Sequence, residues 1–521
     1  MHGSPAVQVI PVIHSAQKIY DFDNFFININ RPAEELKWHS KMDVESSTKT
    51  EASQEVENLT PVEDKRLDRI YRHLDFRIIP ALWCLYFLTS FGGSAYGNTL
   101  TMNFETGHSL KQTLNLTAHD TSVASALEYV GFILFDLPMN LAMTKMSPQV
   151  WLSRMVVSVG LLYICYAALK NAEGLIAIRF FSGVAGAGVW PGMTYYISLW
   201  YPEHRTARRI GYYFTAAQLS ASAAGLVAAG FQKMNMTRNM EGWKWLFIIY
   251  GAITMFVGFT LIWWLPDRPS HLASPKKSFL PKKVATFFRS PQPLTGENRL
   301  IHEQDMKARY TKITWGWKDV LKVISDLRTW PLIIMYFGVV GTGFGLAVFG
   351  TTLISALNTN LSGIDVSLLY APIWLFDLGG ILLVTPFADK FKGLRPVLFS
   401  ASTLIIIVGL IVTTYAHGFW HRYAGLLICG FGLGPTVPIT MTMSSEIMLP
   451  AYGDVGTAVA AALVSGLGNL GSVTATYALY SGWPADAARL YQYSNMMLVL
   501  MLGVSIVSCA VLQFMRWKWY Q

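Results

Sequence analysis

The chain has 521 residues, 52% of them hydrophobic and only 14% charged; soluble domains carry about 25% charged residues, so a soluble fold is excluded. The net charge of +9 does not mark a nucleic-acid binder, because the Lys and Arg residues gather in short patches between apolar runs, as in an oriented membrane protein. The four cysteines, Cys84, Cys165, Cys429 and Cys509, fall inside those runs with no partner in a loop, so neither a disulfide nor a metal site is expected.

In chain order, residues 1–75 read as a cytoplasmic tail, largely disordered, as the polar run at 46–57 suggests. Met42 opens a second plausible start, MDVESSTKT, which would place residues 1–41 outside the native protein. Twelve apolar runs of bilayer-crossing length follow. Their cores lie at 78–99, 121–143, 150–169, 175–199, 211–231 and 244–265, then at 329–353, 369–387, 396–416, 423–445, 456–480 and 493–515. The expected fold is an all-α membrane protein with twelve transmembrane helices in two pseudo-symmetric six-helix bundles, 76–265 and 329–517. Between them, 266–328 forms a cytoplasmic linker, in which Trp317, Val320, Leu321, Val323 and Ile324 are spaced as one face of an amphipathic helix lying on the membrane. Residues 518–521 form the cytoplasmic C-terminus.

The bundles are kin because the chain repeats itself. Residues 129–137 read YVGFILFDL and 370–378 read YAPIWLFDL. Gly186, Gly188 and Pro191 recur in nearly the same register as Gly430, Gly432 and Pro435, and Lys145 recurs as Lys390. Paired bundles of this kind carry solutes across membranes. Lys and Arg crowd the loops on one side, so both termini are expected in the cytoplasm, and the plasma membrane is the default location. The sequons at Asn115, Asn235 and Asn360 fall in loops assigned outside and are candidate glycosylation sites; the one at Asn58 falls in the tail.

Histidines sit in loops or tails, and the phosphate-cradling loop of ATP-driven pumps is missing. That argues against an enzyme, a cofactor and ATP drive, and leaves a small-molecule carrier driven by a gradient or by the solute's own, expected to work as a monomer in the lipid bilayer. Charges inside spans ask for a reason. Glu128 and Arg179 lie at similar depth, either as a structural pair or as a site where Glu128 takes up a proton and Arg179 holds it ionised until substrate arrives. Asp136 and Asp377 are placed near the cytoplasmic ends of their helices, where with Lys145, Asp389 and Arg395 they would form the inner gate. Gln218 and Asn469 are the amides expected to face substrate, with Tyr96 and Asn98 of the first span as further candidates. Glycines crowd the fourth, seventh and eleventh spans, for close helix packing or for rocking in alternating access.

With these residues in view, the chain resembles the fungal anion:cation symporter branch of the major facilitator superfamily, which includes allantoate, nicotinate, biotin and pantothenate permeases. The resemblance covers about 65–517. It is carried by GWKWLFIIYGAITMFVGFTLIWWLPDRP at 242–269, RFFSGVAGAGVWPGMTYYISLWYPEHRTARR at 179–209, and ADKFKGLRP at 388–396. It implies a central site between the halves and proton-coupled uptake of small organic anions, such as a carboxylate or vitamin. The chain departs from the branch where Thr89 and Ser90 stand for an Asp-Arg pair and Gly186 and Tyr250 for glutamates, so Glu128 would be a replacement coupling site. An exporter of a fungal secondary metabolite and a transporter-like nutrient sensor are the alternatives.

Overall fold

A computed structural model describes residues 61–269, 292–309, 317–480 and 482–519. Residues 1–41, the run at 46–57 and the sequon at Asn58 lie outside them. The chain divides into a small unit, Met1–Arg66 with Lys307–Arg309, and a large one, Leu67–Met306 with Tyr310–Gln521. Of the small unit only 61–66 and 307–309, the ends of two helices, are described; all other described residues belong to the large unit.

Every regular element among the described residues is helical. α1 (Pro61–Thr99) starts well before residue 75, inside the expected tail. Proline suits a first helical turn, and Leu67, Ile70, Tyr71, Leu74 and Ile78 follow at helical spacing, all buried. Next come α2 (Ala118–Lys145) and α3 (Pro148–Tyr166). The fourth span is broken into α4 (Ala172–Gly186) and α5 (Val189–Trp200). The first half closes with α6 (Glu203–Gln232) and α7 (Gly242–Trp264). The linker holds two helices where one was expected: α8 (Gly296–Arg309) and α9 (Trp317–Ser325). α9 covers the segment expected to be amphipathic, and of its expected apolar face Val323 is buried while Leu321 is exposed.

The second half contains α10 (Thr329–Leu357), α11 (Gly363–Lys390) and α12 (Arg395–Tyr415). α13 (Phe419–Gly468) runs helical through two spans. α14 (Leu470–Val473) passes into a π turn, Thr474–Leu479, and α15 (Gln492–Trp519) ends the chain. Eleven helices among the described residues are long and apolar enough to cross a membrane. α2, with Glu128 and Asp136 inside it, stands in the place of the second span.

The duplication is visible in α2 and α11. Each has 28 residues. Each starts from a capping box, Thr117 with Asp120 and Ser362 with Asp365, in which hydroxyl and carboxylate satisfy free backbone N–H groups at the helix start. They end on the paired lysines Lys145 and Lys390. The side of the bundles bearing the linker is termed the near side, and the side with loops 100–117, 233–241 and 358–362 the far side.

Candidate functional site

Three polar groups are built from these helices. The first lies toward the far side of the first half. Arg179 on α4 reaches Glu128 on α2 at 2.5 Å. Its guanidinium also donates to the Ala124 carbonyl at 3.3 Å and lies 3.9 Å from the centre of the Tyr96 ring on α1. Arg179 is 0% and Glu128 8% exposed. The pair forms because α4 has Gly183 one turn beyond Arg179. A side chain there would run into the Glu128 carbonyl, so only glycine lets the two backbones approach this closely. Around the pair, the Tyr96 hydroxyl lies beside Ser125, and the Ser182 hydroxyl lies beside the Tyr166 hydroxyl, which also reaches Arg179. Asn98 spends its amide N–H on the Ser94 carbonyl, 2.8 Å away.

The second group lies at mid-depth where the halves meet, on α6 and α11. Asp377 is fourteen residues from the start of α11 and thirteen from its end, so it is central and not near the cytoplasmic end of its helix, as the apolar run suggests. The reason is the capping box at Ser362, which starts the helix several residues before the expected 369. Asp377 is buried, its Oδ1 without a partner among the described residues, and the Gln218 amide faces it from the other half. One turn back, the buried Trp374 indole N–H lies beside the Tyr370 hydroxyl. Tyr370 donates to the Ala347 carbonyl at 3.0 Å, with Ser94 of α1 beside its hydroxyl.

The third group closes the far side. The buried Gln232 accepts from the Asn103 N–H at 3.2 Å and donates to the Gly363 carbonyl and the Ser367 hydroxyl, both at 3.0 Å. Glu105 accepts from the Gly363 N–H, and Thr351 donates to the Gly97 carbonyl at 2.8 Å. Loops and helix ends of both halves are thus sewn together there.

A scan of protein families matches residues 82–476 to the Major Facilitator Superfamily model. This chain belongs to the major facilitator superfamily. It is 45% identical over 465 residues to Vitamin H transporter 1 of Schizosaccharomyces pombe, covering 87% of this chain and 81% of that one. A second relative from the same yeast, an uncharacterized transporter, is 43% identical over 471 residues, covering 89% and 74%. Among solved structures, a bacterial homologue of the human lysosomal transporter Spinster, in its inward-facing and occupied conformation, aligns with a TM-score of 0.60 at 15% identity, covering 84% of this chain and 96% of that one. The protein is therefore an all-helical, multi-pass transporter of this superfamily, not an enzyme.

Within the superfamily's two-bundle frame, the sequence candidates separate. Glu128, Arg179 and Tyr96 come together and Gln218 joins Asp377, while Asn98 is buried at the end of α1 with its amide on the Ser94 carbonyl. Asn469 is half-buried at the break between α13 and α14, outside both groups. Asp136 accepts from the Gly188 N–H at 2.9 Å. Gly188 has φ +76° and begins α5, so a left-handed glycine makes the break and Asp136 caps it. Arg395 is a buried near-side hub: it pairs with Glu446, meets Asp389 at 3.6 Å and donates to the Ala388 carbonyl. Glu446 on α13 is held at the near side by that pairing. The side chain of Lys145 is not among those described. Asn115 and Asn360 are exposed, while Asn235 is half-buried and donates to His108 at 3.1 Å, all on the far side.

Several contacts were not foreseen. Arg209 grips Asp75 with two bonds at 2.6 and 2.8 Å, and Arg205 reaches Asp68 at 2.6 Å. The signal was present: Asp68 and Asp75 are seven apart on one helix face, Arg205 and Arg209 four apart on another. α8 docks here too. His302 meets the Trp200 carbonyl at 2.9 Å and Tyr71 donates to Asp305 at 2.5 Å.

Proposed function

We propose that the protein takes up biotin, or a closely related small carboxylic acid, together with protons, from the far side to a cytoplasmic near side. The plasma membrane is the site, and one chain is the working unit. The observation that carries this reading is the Arg179–Glu128 pair. A fully buried ion pair gains little stability over apolar packing, and ionised groups within spans usually serve substrate or proton movement. The similarity to Vitamin H transporter 1 over most of both chains supports biotin as the solute.

Biotin carries a carboxylate at one end and a ureido ring at the other. Its carboxylate would compete with Glu128 for Arg179. Glu128, displaced into a buried setting without its cation, takes up a proton and so couples entry of the anion to entry of H+. The Tyr96, Tyr166 and Ser182 hydroxyls around Arg179 supply polar contacts that apolar neighbours leave unmade.

The test is uptake of radiolabelled biotin by cells lacking their own biotin permease and expressing the full chain. Accumulation that rises at acid external pH and collapses with a proton uncoupler is expected. Biotin accumulation indifferent to both would defeat the coupling, and no biotin uptake by surface-expressed protein would defeat the substrate.

A further inference from the structure

Asp136 and Asp377 arise from the same repeated phrase, yet they are not equivalent in space. Asp136 lies nine residues before Lys145, Asp377 thirteen before Lys390, where the two lysines end helices of equal length. Four residues are one helical turn, about 6 Å of rise. Asp377 is therefore one turn deeper in its half than Asp136 in its own.

The neighbours differ as well. The broken fourth span presents Asp136 with a free N–H at Gly188. The helix that crosses α11 is α13, which stays helical past Gly434, the residue packed against Asp377. Its backbone N–H groups are used inside the helix. Asp377 thus lacks the backbone donor that its counterpart has and is met by the uncharged Gln218 amide. It is 3% exposed, and no ion pair reaches it among the described residues. The titratable group in reach is the Cys429 thiol on α13; α6 presents the uncharged Gln218, and α10 and α12 present no titratable group to it among the described residues. A bare carboxylate in such a place is so costly that a proton or an incoming cation has to accompany it.

We propose that Asp377 is a second proton-carrying site, loaded before the far side closes and unloaded toward the near side when the halves part at Gln218. The position supports the cycle. Gln218 belongs to the first half and Asp377 to the second, so any motion that separates α6 from α11 replaces a dry amide neighbour with water. The carboxyl then gives its proton to near-side water, and the carboxylate regains one from the far side once that side reopens. With Glu128 serving the substrate in the first half, two protons would enter with each anion, and transport would carry net positive charge. This rests on the proposed proton-coupled uptake, but its first test does not.

A protonated carboxyl absorbs in the infrared apart from other protein groups. The pH-difference spectrum of the full chain in lipid, without substrate, should contain a carboxyl band that Asp377→Asn removes and Asp136→Asn leaves. Asp377→Glu should keep the band at a shifted frequency, which separates loss of a proton site from misfolding. A band unchanged in folded Asp377→Asn protein overturns the proposal. The second test is the charge moved per biotin in proteoliposomes. Wild-type uptake should be accelerated by an inside-negative potential, and Asp377→Asn should lose that acceleration. Equal acceleration in both overturns the proposal. Failure of the wild type to move biotin would refute the substrate assignment alone and leave the infrared result to decide on Asp377.

Discussion

The two halves repeat one scaffold and place their buried charge differently on it. At the α2–α4 crossing, Gly183 is packed against the Glu128 carbonyl; at the α11–α13 crossing, Gly430 is packed in the same way against the Ile373 carbonyl. Glu128 is ten residues into its helix and Ile373 ten into the other. Just beyond, Arg179 donates to the Ala124 carbonyl, and in the second half the Tyr423 hydroxyl donates to the Leu369 carbonyl at 2.8 Å. The backbone contacts have been kept, while Glu and Arg occupy one half and Ile and Tyr the other. One turn further along, the order reverses, with Phe132 in the first half and Asp377 in the second. Close packing of helices constrains glycines and carbonyls; it leaves the charged side chains free to diverge, and an asymmetric solute requires that they do.

The largest expected effect breaks the charged crossing. Arg179→Ala leaves Glu128 buried alone, which should cost about 3–5 kcal/mol and abolish uptake. Tyr423→Phe at the matching position removes one hydrogen bond and should cost about 1 kcal/mol with transport kept. Thermal unfolding in detergent and biotin uptake together check both; equal losses from the two variants would mean that the charge adds nothing to the crossing. Glu128→Gln keeps the shape of the site, and its uptake should no longer rise with external acidity.

Next is the far-side closure, where the halves meet. Gln232→Ala removes three side-chain hydrogen bonds that link α6 to the Asn103 loop and the start of α11. At about 1 kcal/mol each, a shift of about 2–3 kcal/mol toward far-side opening is expected. A cysteine at Ser367, buried in the closed state, should then react faster with a membrane-impermeant thiol reagent applied from outside. Unchanged labelling would mean that the closure is held elsewhere.

Smaller again is the contrast between the two aspartates as structural groups. Asp136→Asn should be nearly silent in unfolding experiments, because an amide oxygen accepts from the Gly188 N–H as a carboxylate does, whereas Asp136→Ala removes the cap at a cost of about 1 kcal/mol. If Asp136→Asn proved as damaging as Asp136→Ala, Asp136 would carry a charge-dependent role and the distinction from Asp377 would fail.

Much of this was legible in the sequence, for physical reasons. Span number and the twofold repeat follow from the length of apolar runs and from YVGFILFDL and YAPIWLFDL, and intramembrane charges are rare enough that Glu128 and Arg179 stood out. Depth along a helix was harder to read. Hydropathy does not see a capping box, so the apolar run alone starts α11 late and sets Asp377 near its end. The repeated phrase also hid a slip of one turn, since its letters align where its helices do not. Gln232 carried no signal, because an amide at the end of a span looks like the start of a loop. The docking of α8 was invisible for a similar reason: a charged, weakly apolar segment buries His302 and Met306 only when α1 and α5 are already in place.

The smallest effect concerns the near side, where the halves also differ. The first half holds α8 through an imidazole, and the second holds the approach to α10 through an ion pair. Burial keeps the His302 imidazole below its ordinary value, with the Trp200 carbonyl opposing the shift. The docked state therefore binds protons less readily than the undocked one. Docking should be complete above the ordinary value of about 6.5 and weaken as pH falls below it. Asp326 behaves in the opposite sense. Burial alone would raise it, but hydrogen bonds from Arg328 and Tyr452 outweigh burial and keep it ionised below the usual carboxylate range. Its contribution is present above about 3.9 and is lost only as pH falls through the depressed value. Hydrogen exchange between pH 7 and pH 5, corrected for the intrinsic rate, should thus speed up in α8 and stay constant across 326–330. His302→Gln, able to donate to the Trp200 carbonyl without titrating, should remove the pH dependence in α8. Protection of α8 that holds steady as pH falls would show that Tyr71 and Asp305, not the imidazole, decide whether it stays docked.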